Sequence, residues 1–307
     1  MLAFLVCERA HRRMRNALRT GPCTSGGSRC CDLSADILGR GRAPDGWGYS
    51  WDVPSVPSVL CVHAHPDDEA LFTGGILARS AAAGARTAVV TCTWRDGEER
   101  VEELRRSLEV LGAGEPRLLG YTDNALSGGV LFCAAPFDEA VGKLVAHIRS
   151  FRPDIVVTYD GFGSYGHPDH VHAHRVTLAA FEASGYEQLF PETGEPWRPA
   201  HLCFATFPRT AIESKWQTLF GTAAPAPGPG VPGIADSDVD LAIDVSAWFD
   251  TKWSAFSQHR SEIERGGGAS QFANMDVATR REALGTEWFV HRAPVGVDPA
   301  RDPFLPR

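Results

Sequence analysis

From Ser58 onward the chain alternates short apolar runs with stretches of helical period, and no other feature restricts the fold as strongly. "SVLCVHAH" (58–65), "ARTAVVTCT" (85–93), "RLLGY" (117–121) and "DIVVTYD" (154–160) read as strands. Between and after them lie four helical patterns. "EALFTGGILARSAAAG" ends at Gly84, and "GEERVEELRRSLEVLGAG" has Leu104, Leu108 and Leu111 at helical spacing with Gly112 near its end. "PFDEAVGKLVAHIRSF" starts with Pro136, and "PDHVHAHRVTLAAFEASG" follows the fourth strand. The strands are apolar at successive residues, so both faces are covered, and strands separated by helices run parallel. The expected fold is α/β: a Rossmann-like three-layer sandwich with a mostly parallel sheet and its active site at the carboxyl ends of the strands. "AHLCFATF" is a further strand and "RTAIESKWQTLF" a helix. "GTAAPAPGPGVPG" is a surface loop, "DVDLAIDVSAWFDTKWSAFSQHR" resumes strand then helix, and "GTEWFV" is a final strand. No internal repeat is visible.

Residues 1–57 differ from the rest. Arg9, Arg12, Arg13, Arg15 and Arg19 precede a Gly/Ser/Cys stretch with poor apolar periodicity, which reads as a disordered tail. "LAFLV" is too short for a signal-peptide core. Cys23, Cys30 and Cys31 with His11 match no C-x-x-C zinc spacing. The domain is expected over 58–292, followed by a C-terminal tail over 293–307. Cys61 and Cys92 lie in apolar runs and no disulfide framework is visible, so a cytoplasmic location is expected. No apolar run approaches the roughly 20 residues that cross a bilayer. A net charge of −8 disfavours nucleic acid as the main partner.

Chemistry concentrates in two places. "VLCVHAHPDDEALFTGG" (59–75) sets His65, Asp67, Asp68 and Glu69 just beyond the first strand. "GFGSYGHPDHVHAH" (161–174) sets Tyr165, His167, Asp169 and His170 beyond the fourth. In a parallel α/β sheet these positions share one rim, where ligands bind. Imidazole and carboxylate together suit Zn²⁺, and a catalytic zinc takes three protein ligands plus water. His65, Asp68 and His170 supply that set. Asp67 remains to take a proton from the water, and His167 to stabilise an oxyanion or protonate a leaving amine. This combination hydrolyses an amide or ester.

Plainer readings exist for several residues. His63 faces the core side of its strand as a structural residue, and His172 and His174 are residues of the following helix. Asp67, Asp68 and Glu69 could cap a helix, where negative charge is favourable. Capping accounts for one or two acidic residues but not for the histidines or the second cluster. A nucleotide-binding dehydrogenase is disfavoured because no G-x-G-x-x-G follows the first strand.

"AHPDDE" followed by "GHPDH" resembles the signature pair of the PIG-L/LmbE-like zinc-dependent N-deacetylases, over roughly residues 58–292. The resemblance implies one Zn²⁺ per chain at His65, Asp68 and His170, Asp67 as general base, and His167 opposite it. It implies Tyr165 as a residue that polarises the substrate carbonyl, and Arg100 and Asp123 as sugar-binding residues. The activity implied is removal of an N-acetyl or other N-acyl group from a GlcNAc-like amino sugar or its conjugate, a small molecule. The alternatives are an amidase acting on a larger thiol or lipid conjugate, and a non-catalytic sugar- or metal-binding module. Asp67 argues against the module, since a binder needs the metal ligands but no free carboxylate beside the water.

Overall fold

The computed structural model describes residues 56–126, 128–220, 231–266 and 268–306. The expected N-terminal tail lies outside these residues except for Val56 and Pro57, as do Cys23, Cys30, Cys31 and His11 and most of the Pro/Gly-rich loop.

The first strand, β1 (Val59–His63), is buried at every residue, as its unbroken apolar run requires. It lies between β2 (Thr87–Thr93) and β4 (Ile155–Tyr159), parallel to both. β3 (Arg117–Tyr121) flanks β2, and β5 (His201–Thr206) flanks β4, again in parallel. β7 (Thr286–Arg292) then pairs antiparallel with β5, and β6 (Leu241–Asp244) forms the outer edge, antiparallel to β7. The sheet order is β3-β2-β1-β4-β5-β7-β6. The direction of winding reverses between β1 and β4, and in a doubly wound sheet that reversal opens the crevice where ligands bind. The two polar motifs follow these two strands.

Helices cover both faces. α1 (Asp68–Ala82), α2 (Glu99–Leu111) and α6 (Phe249–Phe256) pack on the face carrying Val59, Cys61 and Val157. α3 (Phe137–Phe151) and α4 (Pro168–Ala183) pack on the face carrying Leu60, Val62 and Val156. α5 (Arg209–Phe220) precedes the long loop, and three short helices separate α6 from β7: α7 (Arg260–Arg265), α8 (Gly268–Asn274) and α9 (Val277–Leu284). On α2 the predicted Leu104, Leu108 and Leu111 are almost fully buried, each contributing roughly 1.5–3 kcal/mol of apolar transfer. Gly112 ends that helix in the left-handed region at φ 70°.

On α1 the "TGG" glycines allow an unusually close approach. A Cβ on Gly75 would stand 2.4 Å from Cβ of Val245. Through this gap Glu287 of β7 reaches the helix interior, accepting from the Gly75 and Ile76 amides at 2.7 and 2.9 Å. Lys252 of α6 pairs with the same carboxylate at 2.6 Å, and both side chains are buried. The segment after Arg292, read from the sequence as a tail, lies against this face. Phe304 is 2% exposed beside Phe289, and Asp302 pairs with Arg79 at 2.9 Å. Among the described residues no helix is long and apolar enough to cross a membrane.

Candidate active site

The turn between β1 and α1 is tight. Asp67 takes φ 116° and ψ −29°, a conformation that L side chains avoid at a cost of about 1–3 kcal/mol. Side chains from the next turn hold it. Asp68 Oδ2 accepts from the His65 amide at 2.9 Å, and Glu69 Oε2 accepts from the Asp67 amide at 2.9 Å. Asp67 stands at the N-cap position but makes no side-chain capping bond. Its carboxylate is therefore left for other work. His63 is structural as expected, pairing with Thr73 Oγ1 at 2.9 Å inside the core.

After β4, Asp160 organises a turn over Gly163–Gly166 by accepting from the Phe162 and Ser164 amides, both at 3.0 Å. Gly163 has φ 66°, and a Cβ there would lie 2.7 Å from Cβ of His170, so only glycine admits the start of α4 at this distance. That helix opens with His167 as N-cap, its Nδ1 accepting from the Asp169 amide at 3.3 Å, and with proline next. His172 packs on Phe132 at 4.8 Å between ring centroids, and His174 Nδ1 donates to the Tyr159 carbonyl at 2.8 Å. Neither joins the cluster.

Three donor atoms from the two motifs converge. His65 Nδ1 lies 3.4 Å from Asp68 Oδ2, His170 Nε2 lies 3.5 Å from the same oxygen, and the two nitrogens are 3.2 Å apart. Zinc bonds of about 2.0–2.2 Å in a tetrahedron set ligand atoms about 3.3–3.6 Å apart, close to the separations of this set. His65 Nε2 is 3.1 Å from Asp169 Oδ2; with the proton there, Nδ1 presents its lone pair inward. Asp169 is fully buried and also accepts from the Asn124 and Cys133 amides at 3.0 and 2.8 Å. Tyr159 donates its hydroxyl to Asp68 Oδ2 at 2.6 Å and accepts from the Ala64 amide at 2.7 Å. Donors of His65, His167 and His170 also fall within 4.8 Å of one another, as do those of His65, Asp123 and Asp169. The second of these groups meets the outer edge of the His65 ring, away from Asp68.

The electrostatics match a cation site. Burial holds the His170 imidazole neutral, with its pKa pushed down to about 3. Burial disfavours charge on His65 too, yet bonds to Asp169 and Asp68 outweigh it and push its pKa up to about 10. The buried carboxylates around His65 thus favour positive charge at the centre of the cluster. Burial raises Asp67 to about 7 against the opposing charge of Arg100, and Asp68 adds to the rise. A divalent cation held beside Asp67 would lower that value again. Burial, with the charge of His65, lowers the pKa of His167.

The remaining predicted residues gather around the same cavity of about 650 Å³, which His65, Asp67, Asp68, Arg100, Asp123, Tyr165 and His167 all line. Tyr165 stands at its mouth, half exposed, with its ring 5.0 Å from that of His170. Asp123 Oδ1 is 3.8 Å from His65 Nε2 and accepts from the Ala125 amide at 2.8 Å. Arg100 is turned toward the turn between β1 and α1: it donates to the Pro66 carbonyl and pairs with Asp67 at 3.5 Å and Glu262 at 3.0 Å. Sequence reasoning gave no role to Asp169, Tyr159 or His259. Asp169 sits inside "GHPDH", where the signal was present. Tyr159 looks like any strand aromatic, and His259 lies 190 positions from the Glu69 carboxylate it contacts.

The PIG-L family profile, described as GlcNAc-PI de-N-acetylase, matches residues 60–181. A 1D-myo-inositol 2-acetamido-2-deoxy-alpha-D-glucopyranoside deacetylase of Rhodococcus jostii (strain RHA1) is 39% identical over 267 residues, covering 76% of this chain and 90% of the relative. The deacetylase of the same name from Thermobifida fusca (strain YX) is 34% identical, covering 80% of this chain and 95% of its own. Among solved structures, the conserved protein TT1542 from Thermus thermophilus superposes with a TM-score of 0.54 at 26% identity, over 80% of this chain and 99% of that one. N,N'-diacetylchitobiose deacetylase from Pyrococcus horikoshii shares the fold, with a TM-score of 0.56 at 18% identity over 80% of this chain and 88% of that one. Both signature motifs stand at the sheet's switch point, and relatives match over most of their length: the chain belongs to the PIG-L family of de-N-acetylases, hydrolases of an amide bond.

Proposed function

We propose that this protein is a zinc-dependent hydrolase that removes the N-acetyl group from a 2-acetamido-2-deoxyglucoside joined to a further polar group, with one zinc per chain. The observation that carries this reading is the convergence of His65, Asp68 and His170 at tetrahedral spacing with the uncapped Asp67 carboxylate beside them. The names of the relatives make N-acetylglucosaminyl inositol the first substrate to test.

His65, Asp68 and His170 would hold the ion, and Asp169 and Tyr159 would fix the orientation of the first two. A zinc ion bound there supplies Lewis acidity, making water acidic and polarising the amide carbonyl. Asp67 takes the proton as water attacks the carbonyl carbon, then delivers it to the departing amine nitrogen as the C–N bond breaks. His167 accepts at Nδ1 from the Asp169 amide, so its proton sits on Nε2, free to donate to the oxyanion. Tyr165 donates a second hydrogen bond to the same oxygen from the mouth. Arg100 and Asp123 line the sugar side.

The test is acetate release from a panel of N-acetylated amino sugars, with metal stripped and then restored as zinc. Release that requires zinc supports the reading. A zinc-loaded protein that binds such a sugar tightly and releases nothing would instead be a binding module. One observation favours a second reading, amide cleavage of a larger conjugate. Rings of His170, Phe72, Phe207 and Trp288 succeed one another at 6.0, 5.8 and 6.2 Å, an apolar wall leading away from the donor cluster. Comparing an acetylated sugar with a thioether-bearing amide of the same sugar separates the two.

A further inference from the structure

The contacts at both the amide and the carboxylate of Asp67 lead, each through one intermediate side chain, to one short segment of chain far from the motif. Its backbone amide donates to Glu69 Oε2, and the other oxygen, Oε1, accepts from Ser107 Oγ at 2.6 Å and His259 Nε2 at 2.7 Å. Glu69 and His259 are both fully buried. Neither side chain reaches water, so the Glu69 carboxylate relies on these donors for its hydrogen bonds. His259 stands at the junction of α6 and α7, and one turn later Glu262 pairs with Arg100, which in turn faces the Asp67 carboxylate at 3.5 Å. The junction itself is pinned to α2, because Glu103 accepts from the Ser261 amide and hydroxyl at 2.8 and 2.6 Å. The backbone of Asp67 is in a disfavoured region, φ 116°, and relaxes unless something holds it. A relaxed turn swings the carboxylate away from the three-donor cluster.

We propose that Glu69 and His259 are positioning residues for the reaction: the buried pair fixes the Asp67 amide in its left-handed conformation and thereby aims the carboxylate that takes the proton. The proposal rests on the role given to Asp67 above. It predicts that damage to the pair is felt in the chemical step and not in metal or substrate binding. A 1 Å misplacement of a reacting group costs up to about 100-fold in rate.

The experiment uses the full chain carrying His259→Gln. In the metal-free protein, hydrogen exchange at the Asp67 amide accelerates about tenfold or more, while the amides of β1 keep their protection. With zinc restored, metal stays at the wild-type level, KM for an accepted N-acetyl sugar changes less than about twofold, and kcat falls roughly 10- to 100-fold. In an Asp67→Asn background the same substitution costs nothing further, because its effect runs through the carboxylate already removed. Should His259→Gln fail to fold, Ser107→Ala removes a smaller partner of Glu69, and the same readouts move in the same direction by less. The proposal is overturned if exchange at Asp67 is unchanged, or if the loss of kcat adds in full to that of Asp67→Asn. A wild-type protein that releases acetate from no sugar defeats the proposed function instead, and the exchange measurement alone then decides the positioning role.

Discussion

α1 carries two buried charge clusters along its length, and they are built on opposite plans. In its middle, Lys252 and Glu287 form a compact set in which one cation and two helix amides all donate to one carboxylate. At its N-terminus, Asp67, Asp68, Asp123 and Asp169 crowd around three imidazoles, and three side-chain atoms, His65 Nδ1, Asp68 Oδ2 and His170 Nε2, converge within 3.2–3.5 Å of one another. The His170 Nδ1 atom has no hydrogen-bond partner among the described residues. A satisfied cluster is a brace, and its removal shows in stability. A cluster with converging lone pairs is a site, and its removal shows in what it binds and does. Burial alone does not separate them, because both are almost wholly enclosed.

The largest effect expected at the site is that of His170→Ala, which removes one of three donors. Stoichiometric metal and activity should vanish together, and elemental analysis showing full zinc occupancy in that variant would sink the ligand assignment. Next comes Asp67→Asn. Metal should be retained and kcat should fall by ~10²–10⁴ with KM little changed, because an amide of the same shape cannot take the proton. A wild-type kcat would make Asp67 part of the turn and nothing more.

The brace should break differently. Lys252→Met leaves the Glu287 charge without its cation and should cost about 3–5 kcal/mol of stability, read as a lowered denaturation midpoint. Metal content below that midpoint should match wild type. Loss of metal in a folded Lys252→Met protein would mean that the two clusters are one unit. The smallest effect sharpens the site's edge. Tyr165 is half exposed, so Tyr165→Phe should lower kcat only about fivefold, the equivalent of about 1 kcal/mol for one hydrogen bond. A hundredfold loss would show that the mouth closes over Tyr165 during turnover.

The contrast also explains what the sequence made legible. Buried parallel strands announce themselves as unbroken runs, and α2 repeats its leucines at helical spacing, so the layers could be read directly. The proposed donor set was readable because each motif is local: His65 and Asp68 share one turn, and His170 lies in the first turn of one helix. The brace was not, since Lys252 and Glu287 meet α1 only through the fold. The same holds for α7, α8 and α9, which lack strong periodicity. Arg280 stabilises that region by donating to the carbonyls of Phe272, Ala273 and Met275 while lying 3.6 Å over Trp253, contacts that no local pattern encodes. Nor does any pattern reveal that the last strand in sequence enters the sheet one place in from its edge.

That insertion has a consequence for how the protein is made. Synthesis delivers β1 to β5 and both signature motifs first, yet the neighbour of β5 is β7, which begins only at Thr286. Until then β5 offers a wholly buried sequence, "HLCFAT", with one side of its backbone unpaired. Such an edge is a template for other chains, and pairing this distant in sequence is slow to form. A ribosome stalled before Thr286 therefore releases a chain that carries every proposed metal ligand and an open, adhesive sheet. Chaperone dependence and aggregation of the nascent chain should be set by arrival of its final strand, and not by the chemistry at the other end of the crevice.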